Sequence, residues 1–163
     1  MIIDGHAHAC GVFISARSIE KHSTEHDKDM IVLTGGEPNS DKNYSYPMLS
    51  NLVRGEKLCY FFNKIICRVT ELKKVAIHID EQNEFVCSIA KELPGKVINT
   101  YWANPLDDDC IVKMENFYQK HGFCMVKLHQ CWTQFDISSE TCSKIFAWAT
   151  ENQLPIFIHL LSQ

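Results

Sequence analysis

The sequence predicts an α/β protein built on a parallel sheet, and three observations carry that reading. Short apolar runs alternate with longer amphipathic segments almost throughout the chain, the pattern of βα units. Gly, Pro, Asn and Asp punctuate the segments where turns are needed. Four histidines and a lysine fall at or near the carboxyl ends of the apolar runs, where the loops of a parallel sheet build a site. At 163 residues, 45% hydrophobic and 22% charged, the chain has the size and composition of one globular domain, which buries roughly 70% of its unfolded surface.

Met1 to Asp4 reads as the first strand, followed by a turn that carries His6 and His8. Ile14 to Asp27 reads as a helix with Ile19 on its apolar side. Met30 to Thr34 is a short apolar run stopped by Gly35 and Gly36, a second buried strand. Glu37 to Tyr46 is polar and carries Pro38, Asn39 and Asp41, a loop. Pro47 can open a helix, and Leu58, Phe61, Ile65, Val69 and Leu72 recur at helical spacing through about Lys74. We read that stripe as core packing. The excursion over about 37–80 separates the second and third strands, and excursions of that length often cover active sites.

Asp80 is a suitable N-cap for a helix over Glu81 to Leu93, which Pro94 and Gly95 end. Val97 to Ala103 is the third strand. The run Asp107, Asp108, Asp109 opens the next helix, Ile111 to His121, and reads as capping near the positive end of the dipole, not as a metal cage. Gly122 stops that helix. Phe123 to His129 is the fourth strand; Ser138 or Ser139 caps a helix through about Asn152; Leu154 to Leu161 is the fifth strand, interrupted by His159. There is no internal repeat, so residues 1–163 form a single domain.

Composition excludes several classes. A net charge of −4 without any basic block argues against nucleic acid as a partner. No apolar run approaches the ~20 residues that cross a bilayer, and no charged leader precedes Asp4, so a cytoplasmic location is expected. None of the eight cysteines pairs at the spacing of two to four residues that zinc cages use. They read as reduced core or surface thiols, with Cys10, two residues past His8, close to the same mouth.

The strongest functional signal is Asp4-Gly5-His6-Ala7-His8. Side chains two apart in an extended strand share a face, so His6 and His8 can grip one ion. Zinc or a similar divalent ion takes neutral imidazoles, and a catalytic site keeps one position for water. The ion lowers the pKa of that water and polarises the substrate oxygen. His159 reads either as a satisfied core histidine or as a third ligand, and the pair at His6 and His8 favours the ligand. Lys127 and His129 repeat the same-face spacing. Lys127 could bind an anionic substrate, hold a metal if carboxylated, or snorkel to solvent, and His129 could contact substrate. Trp102 and Trp132 sit near the same mouth and read first as packing. His22, His26, His78 and His121 read as surface residues.

These residues resemble a family. Asp4 to His8, the run Val126-Lys127-Leu128-His129 and the late Pro155-Ile156-Phe157-Ile158-His159 are similar in order and spacing to the amidohydrolase superfamily, specifically amidohydrolase-related family 2. The resemblance implies a (β/α) TIM-type barrel with paired metal-binding histidines on strand 1 and another on strand 5, here His6, His8 and His159. Family members include hydrolases, decarboxylases and hydratases. A carboxylated lysine on strand 4, the position of Lys127, occurs in other branches.

The chain departs from that pattern in length. Such a barrel needs about 250 residues, and about five of its eight βα units are legible here. The family's histidine on strand 6 and aspartate on strand 8 have no counterpart in these 163 residues. The expectation is therefore an incomplete barrel from a longer metal-dependent hydrolase or lyase of a small, carboxylate-bearing molecule, with weak or no activity as a piece. A TatD-type nuclease also opens with paired histidines, but Val97 to Pro105 lacks the acid such enzymes carry in mid-chain. A non-catalytic remnant that binds a partner, or a homo-oligomer, through an open sheet edge is the reading from a different class.

Overall fold

The computed structural model describes residues 1–35, 58, 61, 62, 65, 78–130 and 133–159. Its strands are β1 (Ile3–His8), β2 (Met30–Thr34), β3 (Val97–Asn99), β4 (Tyr101–Trp102), β5 (Val126–His129) and β6 (Ile156–His159). Its helices are α1 (Ala16–Glu25), α2 (Ile79–Glu92), α3 (Cys110–His121) and α4 (Glu140–Glu151), and a single 3-10 turn spans Gly11–Phe13.

Every strand pairing is parallel, in the orders β1-β2-β3 and β4-β5-β6. β3 and β4 are successive stretches of the third expected strand. The chain changes partner between them: Thr100 donates its N–H to Leu33 O at 3.0 Å, and Tyr101 donates to Met125 O at 2.9 Å. Five strand positions thus follow one another in sequence order, the α/β arrangement of a partial barrel.

The two faces of the sheets carry opposite chemistry. Ala7, Ala9, Ile31, Leu33 and Val97 pack on one face with Ile19 of α1 and Val86 and Ile89 of α2. Further along, Tyr101, Ala103, Val126 and Leu128 pack with Met114 of α3 and Ile145 and Trp148 of α4. A buried aliphatic side chain contributes roughly 1.5–3 kcal/mol, so these clusters fix which face meets the helices. Period-two alternation then sends His6, His8, Thr34, Thr100, Trp102, Lys127, His129, Phe157 and His159 to the other face.

Helix starts follow local chemistry, with two corrections. Ser15 accepts from Ser18 N–H at 3.2 Å and Ser139 from Cys142 N–H at 3.3 Å, both as N-caps. Asp80 does not cap: α2 begins two residues earlier than expected, at Ile79 after His78, and Asp80 lies in its first turn. Its carboxylate, with those of Asp107 and Asp109, instead surrounds Lys113 Nζ at 3.3, 3.4 and 3.3 Å. The Asp80–Lys113 pair thus ties α2 to α3, while Asp107 and Asp109 of the acid run meet Lys113 of their own helix, and Asp109 at the cap position makes no side-chain cap bond. Gly122 ends α3 at φ 67°, the left-handed backbone that glycine adopts without strain.

Most of the helix expected after Pro47, including Val69 and Leu72, lies outside the described residues. Leu58, Phe61 and Ile65 are helical and 49, 56 and 41% exposed, so where that stripe is described it does not pack into a core.

The partner change at Thr100 is stabilised by one side chain. Trp102 pairs with β5 on one side. On the other side Asn83 of α2, itself 1% exposed, donates Nδ2–H to Trp102 O at 2.9 Å and accepts from Trp102 N–H at 2.8 Å. The amide stands in for a strand. Replacing it strands two buried backbone groups, each costing about 1–3 kcal/mol. Asn83→Ala is expected to lower unfolding stability by about 2–4 kcal/mol in urea titration, and a loss below about 0.5 kcal/mol would show that the clamp is dispensable.

Candidate functional site

β1 runs through both histidines, where the sequence suggests a strand ending at Asp4. The reason is β2, which continues to Thr34 and offers partners throughout. Ala7 pairs with Leu33 and His8 with Thr34, after a register shift between Asp4 and Ala7, and Ala9 N–H reaches Thr34 O at 2.9 Å. The small side chains of Ala7 and Ala9 fit beneath the helices, which commits His6 and His8 to the inner face.

The inner face brings all five predicted site residues into one run of contacts. The rings of His6 and His8 meet edge to face, centroids 4.7 Å apart. Lys127, 0% exposed, places Nζ 3.2 Å from His8 Nε2 and 5.7 Å from the centre of the Trp102 ring. His129 lies 6.5 Å from His8 and stacks on His159 at 4.2 Å, as their paired register on β5 and β6 requires. His6 stacks on Phe157 at 4.1 Å, which links β1 to β6. Phe157 was not singled out by sequence reasoning, although its place two residues before His159 is the signal that puts it on this face.

The electrostatics keep the imidazoles uncharged. Burial, followed by the positive charge of Lys127, lowers His6 to about 4, His8 to about 3 and His129 to about 2. His159, part of whose ring is open to solvent, is lowered by the same two causes in the same order. Neutral imidazole is the form that ligates a metal.

Several polar atoms on this face are buried and, among the described residues, lack a hydrogen-bond partner: His6 Nε2, Thr34 Oγ1, Thr100 Oγ1 and Trp102 Nε1. Each costs about 1–3 kcal/mol if left so, which marks a face made to meet an ion, water or ligand. Neutral imidazole is a donor type that a divalent ion takes; His6 Nε2 is buried without a partner among the described residues, and His8 Nε2 lies 3.2 Å from Lys127 Nζ. Among the described residues no group of three His, Cys, Asp or Glu side chains is placed so that it could hold a metal ion.

The other candidates lie elsewhere. His22 and His26 meet at 4.4 Å at the end of α1, and His78 pairs with Glu81 at 3.2 Å. His121 is not a surface residue: its side chain is 6% exposed and sits between Lys91 Nζ at 2.9 Å and Glu84 at 3.4 Å. Cys10 is half-buried at the start of the 3-10 turn. Trp132 lies outside the described residues. Among the described residues no helix is long and apolar enough to cross a membrane.

No family model matches the chain, and no curated protein matches it. Among solved structures it is similar to 4-oxalomesaconate hydratase from Rhodopseudomonas palustris, with 16% sequence identity and a TM-score of 0.56 over 98% of this chain and 52% of that one. The chain therefore spans about half the length of the hydratase. At this identity the likeness is one of fold, and it agrees with a partial barrel of parallel βα units.

The depressed imidazoles set a pH dependence. Folded pKa values below the unfolded value near 6.5 mean that the unfolded chain takes up protons first as pH falls. Stability is then unaffected by these groups above pH ~6.5 and declines below it, by up to about 1.4 kcal/mol per pH unit for each buried imidazole. Denaturant titrations of the wild type and His129→Gln between pH 7.5 and 4.5 check this. The variant is expected to lose less stability on acidification than the wild type, and equal slopes would contradict the assignment.

Proposed function

We propose that this chain carries part of the site of a metal-dependent hydrolase or lyase of the amidohydrolase type, acting on a small, carboxylate-bearing molecule. The observation that carries the reading is the pair of neutral imidazoles on β1, one with a buried Nε2 that lacks a partner among the described residues, facing Lys127 of β5 on the inner face. The fold likeness to a hydratase, which is a lyase, supports the same class.

In this reading His6 and His8 hold the ion, and His159 on β6 is the third ligand. A divalent ion, zinc by preference, supplies Lewis acidity and lowers the pKa of a bound water when present. The chain's own groups do the rest. The Lys127 side chain draws the substrate carboxylate inward by charge in a site of low dielectric. His129, neutral at pH 7, offers a ring nitrogen to the substrate's polar end. Trp102 and Phe157 wall the face with aromatic surface that limits water. A nuclease of the TatD type is disfavoured because the stretch Val97 to Pro105, which contains the third strand, contributes no acid.

The further residues that the resemblance places on strands 6 and 8 are absent from these 163 residues, so weak or no turnover is proposed for the chain by itself. Two measurements test the reading. Elemental analysis after zinc loading and desalting is expected to find about one ion per chain, lost in His6→Ala/His8→Ala. Full retention by the double variant, or no zinc in the wild type, would sink the metal assignment. Strong zinc-dependent turnover by the 163-residue chain would instead refute the incomplete-site part alone.

A further inference from the structure

We propose that the hydroxyls of Thr34 and Thr100 hold an internal water between them, beneath the Trp102 indole on the inner face of the sheet. Neither a metal ion nor Lys127 enters this site, so it stands or falls apart from the function proposed above.

Three observations carry the inference. The first is a pair of enclosed hydroxyls. Thr34 and Thr100 are each 0% exposed, and among the described residues neither Oγ1 has a hydrogen-bond partner. A hydroxyl taken out of water and left unbonded is costly, and native proteins seldom leave one so. Here there are two.

The second is their placement. Thr34 pairs with His8 of β1, and Leu33 pairs with Asn99 of β3. Thr100, the next residue, donates its N–H to Leu33 O at 3.0 Å, which sets it beside Thr34 with both side chains on the inner face. Neighbouring strands run roughly 4.7–4.9 Å apart, and the two hydroxyls do not bond one another. One water at ~2.8 Å from each oxygen spans a gap of that size. Each hydroxyl offers one hydrogen and two lone pairs, so the water donates to one threonine and accepts from the other.

The third is closure. Trp102 follows Thr100 by two residues on the same face and is itself 0% exposed. Its ring reaches across to β2: a Cβ added to Gly35, the residue after Thr34, would stand 3.0 Å from Trp102 Cε3. The indole therefore lies over the threonine pair on the side of the carboxyl ends, and the missing side chain of Gly35 leaves room for it. The Trp102 backbone is fixed from α2 by the Asn83 amide. A polar site enclosed in this way retains its water as part of the structure. The water gives the aromatic wall a floor and joins β2 to the chain at the point where it leaves β3.

Oxygen-17 relaxation dispersion counts long-lived internal waters and is blind to exchanging hydroxyl protons. Thr34→Val/Thr100→Val is expected to hold about one such water fewer than the wild type, and Thr34→Ser/Thr100→Ser, which keeps both hydroxyls, the wild-type number. The wild-type number in the valine variant overturns the proposal, as does a wild type without any long-lived water.

The single variants decide the matter by sign, through the urea midpoint. With a water between the threonines, Thr34→Val or Thr100→Val removes one of its partners and lowers the midpoint, and the second substitution then adds less than the first. With no water, each valine removes an unbonded buried hydroxyl and raises the midpoint. A rise in either single variant, or two losses that simply add, contradicts a shared water.

Discussion

The whole arrangement depends on the two-residue alternation of parallel strands held, among the described residues, against helices on one side. Helix packing claims Ala7, Ala9, Ile31, Leu33, Val97, Tyr101, Val126 and Leu128. Once those are committed, the intervening residues have no freedom: a shift of one residue would drive His6, His8, Lys127 and His129 into two hydrophobic clusters and expose the aliphatics. The cost of burying those polar groups against apolar neighbours, several kcal/mol each without partners, is what fixes the face. Chemistry and folding are thus specified by the same pattern.

That face then sets its own electrostatics. A lysine with no solvent exposure stands among four histidines on three strands. Its charge and the low dielectric act in the same direction on every ring, holding all four neutral. The face is therefore rich in imidazole lone pairs beside the buried Lys127 side chain. Helix α2 contributes from outside the sheet. Asn83 anchors Trp102 where the backbone changes strand partner, and Trp102 is the ring that faces Lys127.

Much of this was legible in the sequence because it rests on local pattern. The five strand positions and the helices at 16–25, 79–92, 110–121 and 140–151 follow from apolar runs, periodicity, Ser caps and the Gly122 stop. The common face of His6, His8, Lys127, His129 and His159 follows from spacing and from the carboxyl-end rule for parallel sheets. What local pattern misses is tertiary. The extension of β1 through His8 depends on the length of β2, and the diversion of Asp80 from capping depends on Lys113 thirty-three positions away. Lys127 meeting His8 spans a separation of 119 residues. The stripe at Leu58, Phe61 and Ile65 has helical spacing whether or not anything covers it, so periodicity alone could not tell core from surface.

The central claim is that an ion binds here through imidazoles on the inner face of the sheet. X-ray absorption at the zinc edge of the loaded chain tests it most directly. The account predicts a first shell of nitrogen and oxygen near ~2.0–2.1 Å with the outer-shell pattern of at least two imidazoles. A shell dominated by sulfur near ~2.3 Å would place the ion among the cysteines and contradict it.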